Sequence, residues 1–260
     1  MRTSRSNKKG PAPTWLFIAI IAVLAAIFCV SAYFLIDYII EERSASAAYE
    51  KLETEVHPEA PEASADASDI APDLAPDHAA LKRINPDYAF WLELDGSVIN
   101  YPVVAGAGNS HYLTHLFSGE KNANGCLFVD ERCEEMLAPL TNTLVHGHRM
   151  NSGSMFGSLN NFLNEDYAAA HSEFTVSTPA GDFKGKVFAA YKGRVAGDYL
   201  TASFADEDEA AEYINAHIEE SAVDFGVTPN ANAPIVTLAT CVKHNDNERM
   251  IVMMTLEEIY

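Results

Sequence analysis

The sequence predicts a mainly β protein: a closed or nearly closed β-barrel with helical insertions, preceded by an N-terminal transmembrane helix. Three features lead to this prediction. Residues 15–36 carry no charged side chain, and residues 41–79 are dominated by Ala, Pro, Ser, Glu and Asp. From about Leu81 onward, short apolar runs alternate with turn residues. Many short strands with a few intervening helices are typical of β-barrels.

The N-terminal region has the charge pattern of a membrane anchor. Residues 1–14 form a basic tail with no acidic residue, and the uncharged run that follows is long enough to cross a bilayer. We expect a span over residues 15–40 with the N-terminus in the cytoplasm and the remainder of the chain outside, because basic residues favour the cytoplasmic side. A cleaved signal peptide, with "SASA" at 44–47 as the cleavage site, is the alternative.

The next region, residues 41–80, is predicted to be an acidic Ala/Pro-rich spacer. Its large apolar groups are few, so it cannot offset the entropy lost on ordering, and its charges repel one another. Part of residues 41–56 can continue the helix out of the membrane. Removal of residues 1–75 should accordingly leave a folded domain.

The first predicted strands of the globular part, residues 81–260, surround a turn. "YAFWLELDGSVINYPVV" shows alternation on both sides of Asp95-Gly96, which indicates a pair of strands. "GCLFVDE" and "NTLVHGH" have the composition of short buried strands. "SGSMFGSLNNFLNEDYAAAHS" has helical spacing, with serines that can begin a helix.

The second half continues this pattern. "EFTVSTPAGDFKGKVFAAYKGR" predicts a hairpin that turns at Ala180-Gly181. Residues 206–223 predict an amphipathic helix, with acidic residues in the first turn where the helix dipole favours them. "APIVTLATC" and "RMIVMMTLEEI" predict two final apolar strands, joined by a short polar loop.

Composition limits the classes of function. The chain has 260 residues, of which 48% are hydrophobic, so it can bury a sizeable core. Its formal net charge is −20, from 37 acidic and 17 basic residues. This balance argues against nucleic acid as a partner, because phosphate binding needs clustered Lys and Arg.

Three reactive side chains lie at predicted strand ends. Cys241 ends one strand, Arg249 begins the next, and His148 ends an earlier strand. Together they suit acyl transfer: a thiolate attacks a carbonyl, an imidazolium protonates the leaving amine, and a guanidinium stabilises the oxyanion. A cysteine after an apolar strand is nevertheless more often core filling, so the residues alone leave the choice open.

Other interpretations use the same residues. A zinc-dependent extracellular hydrolase can use His146, His148 and Cys241, although no catalytic Glu is evident. A non-catalytic surface domain needs no reactive Cys241. Cys126 and Cys133 are seven positions apart, and an oxidising exterior permits a disulfide between them; two unpaired thiols are the alternative.

The sequence resembles class B sortases. The resemblance rests on "TLATC" at 237–241, the downstream Arg249, and "HGH" at 146–148. Further support comes from "DYAFWLELDGSVINYPVV", "NSHYLTHLFSGEKNANGCLFVD" and "GHRMNSGSMFGSL", so the match runs from about Leu81 to Tyr260. It implies an eight-stranded barrel with an extra helix before the cysteine strand, which residues 206–223 would supply.

The resemblance also implies roles for residues. Cys241 is then the nucleophile, His148 the general acid/base and Arg249 the oxyanion or substrate clamp, with no metal or cofactor. Four residues are expected to contact the substrate: Asn109, Leu113, His146 and Thr240. The chain departs from the family pattern at three positions: His146 replaces a frequent Tyr, Ala239 a Ser of some members and Lys243 an acidic residue of some members.

The implied reaction is a transpeptidation. A secreted protein with a C-terminal sorting motif is cleaved after Thr, its acyl group is held on Cys241 as a thioester, and an amine of a peptidoglycan precursor or a pilin resolves it. The resemblance thus implies a single-pass membrane protein whose catalytic domain is extracellular.

Overall fold

The computed structural model describes residues 14–57, 75–106, 108–242 and 245–259. It contains eight strands: β1 Tyr88–Glu93, β2 Asn100–Val104, β3 Leu127–Val129, β4 Asn142–His146, β5 Glu173–Thr178, β6 Gly181–Arg194, β7 Ile235–Val242 and β8 Asn245–Glu258. Its α-helices are α1 Thr14–Val56, α2 His78–Ile84, α3 Glu165–Ala170 and α4 Glu207–Glu220. Two 3₁₀ helices cover Gly157–Leu163 and Asp198–Leu200.

The strands close into a barrel in the order β1-β2-β3-β4-β7-β8-β6-β5, with β5 returning to β1. The pairs β2–β3 and β4–β7 are parallel, and the others are antiparallel. A parallel pair requires a long connection, and here residues 105–126 and 147–234 provide the two crossovers. The predicted eight-stranded barrel with helical insertions is confirmed.

Two apolar clusters hold the barrel together. One contains most of the largest fully buried side chains, among them Trp91, Phe117 and Phe156. The other includes Ala210 and Ile214 of α4 with side chains of β6, β7 and β8. The predicted helix at 206–223 is confirmed over residues 207–220: Asp206 caps it by accepting from the Glu209 N–H at 3.0 Å, and three acidic residues occupy its first turn.

Helix α1 crosses the boundary between two compact units, residues 1–44 and residues 45–260. In the first unit its apolar side chains are exposed, and by length and composition alone the helix is able to span a membrane. The second unit contains the final three turns of α1.

These final turns confirm that the helix continues into residues 41–56, and they correct the expectation that this part of the spacer stays outside the core. Residues 41–56 are helical, and four side chains spaced four, three and four positions apart are buried in the barrel cluster: Ala45, Tyr49, Leu52 and Val56. The Tyr49 hydroxyl donates to the Gly125 carbonyl at 2.8 Å. Apolar residues at this spacing form one helix face, which explains the ordering. Residues 58–74 of the predicted spacer lie outside the described residues.

One detail near the site differs from expectation, and the structure decides between the two alternatives left open for Cys126 and Cys133. Strand β8 begins at Asn245, so Arg249 lies within the strand and not at its start. Cys126 and Cys133 are both free thiols: Cys126 contacts the Pro102 carbonyl, and the Cys133 sulfur accepts from the Leu144 N–H at 3.3 Å. The disulfide is therefore absent from the structure.

Candidate active site

Cys241 and Arg249 are direct partners in the β7–β8 ladder. Directly opposed residues on an antiparallel pair hold their Cβ atoms about 4.5–5.5 Å apart on the same face. Both side chains are partly exposed. The pairing thus brings a thiol and a guanidinium together through backbone register alone.

Strand β4 carries His148 to the same place. It runs parallel to β7, with His146 opposite Ala239, and the Gly147 N–H continues the ladder to the Ala239 carbonyl at 3.3 Å. The Thr240 hydroxyl donates to the Gly147 carbonyl at 2.8 Å. The backbone immediately before His148 is therefore fixed to the strand that bears Cys241.

Gly147 is required here by close packing. A Cβ at this position would overlap the side chains of Leu127 and Phe156. The glycine of "HGH" is therefore explained by lack of space, because any side chain at Gly147 would push the end of β4 away from the barrel.

The His148 ring has a defined hydrogen-bond partner. Its Nε2 lies 2.7 Å from the Leu113 carbonyl oxygen. Since a carbonyl only accepts, Nε2 carries the proton, and in the neutral ring Nδ1 is left as the basic nitrogen. Among the described residues there is no hydrogen bond between His148 and Cys241. Such bonds often form only when substrate is present.

One cavity of about 260 Å³ is lined by all seven predicted site residues. Its lining residues are Asn109, Leu113, Phe128, Asp130, Arg132, His146, Gly147, His148, Val195, Tyr199, Leu200, Ala239, Thr240, Cys241 and Arg249. The lining combines apolar walls with convergent polar groups, as is usual for binding sites.

Arg249 has several neighbours in this cavity. Its guanidinium donates to the Glu248 carbonyl at 3.1 Å. The Tyr199 phenol is buried, which raises its pKa, while the positive charge of Arg249 acts in the opposite direction. Arg249 thus contributes positive charge to the cavity that Cys241 lines.

Asp130, directly after β3, is a site residue that the sequence did not indicate. Its side chain is only 2% exposed. It accepts from His146 Nε2 at 2.8 Å, from Asn109 Nδ2 at 3.1 Å and from the Arg132 guanidinium at 2.9 Å. Burial alone would raise the pKa of this carboxyl, but the hydrogen bonds from His146 and the Arg132 backbone, together with these two neighbours' charges, lower it to about 2.

The four expected substrate contacts differ in how accessible their polar groups are. The Asn109 amide is already engaged, since its Nδ2 donates to Asp130 and its Oδ1 accepts from the Glu131 N–H at 2.9 Å. The Thr240 hydroxyl is buried against Gly147. Leu113, by contrast, is 38% exposed and the His146 side chain 21% exposed. Asn109 is also partly exposed, so a ligand can reach the side chains of Asn109, Leu113 and His146.

The residues of the zinc alternative have other partners. His146 Nε2 is held by Asp130, and His148 Nε2 by the Leu113 carbonyl. Within the described residues, no group of three His, Cys, Asp or Glu side chains is arranged to hold a metal ion.

Comparison with known proteins gives matches to one family. The family profile described as the Sortase domain matches residues 92–257. Sortase B of Listeria monocytogenes is 30% identical over 175 residues, covering 66% of this chain and 70% of that protein. Sortase B of Staphylococcus aureus is 26% identical over 232 residues, covering 86% of this chain and 89% of that protein.

Solved structures show the same fold. A Staphylococcus aureus sortase B–substrate complex superposes with a TM-score of 0.72 at 24% identity, covering 85% of this chain and 100% of that chain. Clostridium perfringens sortase B superposes with a TM-score of 0.63 at 32% identity, covering 69% of this chain and 98% of that chain. The chain therefore belongs to the sortase family of cysteine transpeptidases, as a member of class B.

Proposed function

We propose that the protein is a membrane-anchored transpeptidase that joins secreted proteins to an amine outside the cell. Its substrate is a protein with a C-terminal sorting motif, which is cleaved after Thr. The Cys241–Arg249 register pair, with His148 in the same cavity, is the observation that carries this proposal.

In the first half-reaction the Cys241 sulfur attacks the Thr carbonyl carbon, and the carbonyl π electrons move to its oxygen. Arg249 stabilises the oxyanion that forms. The C–N bond then breaks, and protonated His148 gives its proton to the leaving amine. The products of this step are a thioester on Cys241 and a released C-terminal peptide.

In the second half-reaction an amine attacks the thioester carbonyl. His148 takes the proton that the amine loses, the C–S bond breaks, and the sulfur leaves as a thiolate. A new amide bond joins the acyl group to the acceptor, and the protein returns to its starting charge state. The acceptor is an amine of a peptidoglycan precursor or a pilin lysine.

Two further observations support the proposal. A Staphylococcus aureus sortase B of the same fold has been solved as a substrate complex, which supports the proposal that this chain also binds a substrate. The apolar part of α1 and its basic N-terminal flank suit a single-pass anchor over residues 15–40 with the catalytic domain outside the cell.

A peptide-library assay tests the function. The purified full chain in detergent is mixed with peptides that carry Thr at fixed positions and with triglycine, diaminopimelate or lysine as acceptor amines. Wild-type protein should cleave a subset after Thr and form the new amide, while Cys241→Ala should do neither. Cys133→Ala is the matched control and should keep activity. Cleavage that persists in Cys241→Ala would contradict the proposal.

A further inference from the structure

We propose that Asp130 is a positioning residue for this transpeptidase. It holds the His146 ring through Nε2, so that Nδ1 is the nitrogen offered to an N–H group of the sorting peptide. The inference rests on the function proposed above, because it adds a substrate contact and its support within the same cavity.

The contact joins a buried carboxylate to a partly exposed imidazole ring at hydrogen-bond distance. The Asp130 carboxylate is 2% exposed and lies behind the 21% exposed His146 ring, with Oδ2 and Nε2 separated by 2.8 Å. His146 is on β4, and Asp130 continues β3 by donating its N–H to the Leu144 carbonyl at 2.8 Å. Backbone pairing between β3 and β4 thus fixes both ends of the contact.

The carboxylate has enough donors to remain ionised. The guanidinium and the backbone N–H of Arg132 both donate to Oδ1 of Asp130, at 3.0 and 2.9 Å. Asn109 Nδ2 and His146 Nε2 both donate to Oδ2. An ionised carboxylate only accepts hydrogen bonds. The His146 Nε2 atom must therefore carry a hydrogen whether the ring is neutral or protonated.

This arrangement determines what His146 presents to the cavity. With Nε2–H used on Asp130, Nδ1 of the neutral ring is an acceptor. The ring's aromatic neighbour is the apolar Phe128, at a centroid distance of 5.5 Å. Within the described part of the chain, no hydrogen bond to Nδ1 of His146 is found. A main-chain or side-chain N–H of a peptide is the group that matches such an acceptor.

Two substitutions separate the parts of this arrangement. Asp130→Asn keeps the shape but can place an NH₂ group opposite Nε2, which favours the other tautomer and turns Nδ1 into a donor. His146→Gln keeps an amide donor that can reach Asp130 but lacks a nitrogen at the Nδ1 position. Asp182→Asn is the matched control, because this half-buried carboxylate pairs with Ser177 on β5 and does not line the cavity.

The kinetic test is a double-mutant cycle on peptide cleavage. Asp130→Asn and His146→Gln should each lower kcat/KM about 10-fold, mainly through KM, because each leaves a peptide N–H without its acceptor. In the His146→Gln background, Asp130→Asn should cost less than 2-fold, since it acts through a nitrogen that is already gone. Asp182→Asn should stay within 2-fold of the wild-type protein.

A spectroscopic test needs no turnover. In ¹⁵N NMR of the wild-type protein, neutral His146 should show a protonated Nε2 and an unprotonated Nδ1. Asp130→Asn should shift the ring toward the Nδ1–H form. If the Asp130→Asn variant does not fold, the tautomer of His146 in the wild-type protein tests the proposal by itself.

The outcomes separate this inference from the proposed function. Additive losses in the cycle, or an Nδ1–H tautomer in the wild-type protein, would overturn the role of Asp130 while transpeptidation stands. Absence of transpeptidation by the wild-type protein with any library peptide would overturn the proposed function, and the substrate contact with it.

Discussion

Arg249 lies opposite Cys241, and its strand continues with side chains that are fully buried. Arg249→Lys keeps the positive charge but loses the planar fork that can hold an oxyanion and a second acceptor together. We expect kcat to fall by about 100–1000-fold, the usual cost of one oxyanion donor. The melting temperature should change little, and alkylation of Cys241 should persist. Near-wild-type turnover of the lysine variant would refute the oxyanion role.

The two histidines of "HGH" are expected to differ in importance. In the proposed mechanism His148 transfers protons in both half-reactions, so His148→Ala should lower kcat at least about 100-fold. His146→Ala removes a substrate contact only and should cost about 10-fold in kcat/KM. Steady-state kinetics on one peptide substrate compares them directly. If the larger loss followed His146→Ala, the assignment of the general acid/base would be reversed.

The motif in the sequence was enough to group three residues in one site, whereas Asp130 became visible only in the tertiary structure. Cys241, His148 and Arg249 were predicted from strand ends and a family pattern, and the structure brings them into one cavity. Asp130, in contrast, has the sequence appearance of a polar turn after a short strand. Its burial arises because β3 pairs with β4, and no local signal encodes that pairing.

Among the elements, α1 shows how composition misled the interpretation. Residues 41–80 as a whole are acidic and poor in large apolar groups, which predicted an extended spacer. The spacing of Ala45, Tyr49, Leu52 and Val56 was nevertheless a helical signal within that region, and this face is buried. Strand β8 was likewise longer than predicted, because its polar start pairs with the end of β6, where Glu248 lies opposite Arg194.

A truncation series tests the contribution of α1 to the barrel. Residues 45–260 form one compact unit, so this fragment should fold stably. A fragment that begins at residue 76 loses the buried face of α1, and its free energy of unfolding should be lower by at least about 3 kcal/mol. Urea denaturation of both fragments measures the difference.

Point variants provide the control for this series. In the 45–260 fragment, Leu52→Ala should lower stability by about 2 kcal/mol, the low end for a buried leucine. Lys51→Ala, on the exposed face of the same helix turn, should change it by less than about 0.5 kcal/mol. Equal stability of the fragments beginning at residues 45 and 76 would show that α1 does not support the barrel.

For the molecule as a whole, the charge asymmetry predicts a topology. The basic N-terminal tail, the uncharged run and the acidic remainder favour an uncleaved anchor with residues 80–260 outside the cell. Protease added to intact cells or protoplasts should therefore remove this domain. A domain that stays protected, or that is released with a new N-terminus near Ala47, would contradict the anchor.

In the proposed mechanism Cys241 carries the acyl group between the two half-reactions. Mass spectrometry of the protein, quenched in acid during turnover of a cleaved peptide without acceptor amine, tests it most directly. We expect one acyl adduct per chain, located on the fragment that contains Cys241, absent from Cys241→Ala and lost when the acceptor amine is added. An adduct on Cys133 or another residue, or turnover with no adduct on Cys241 under these conditions, would contradict the account.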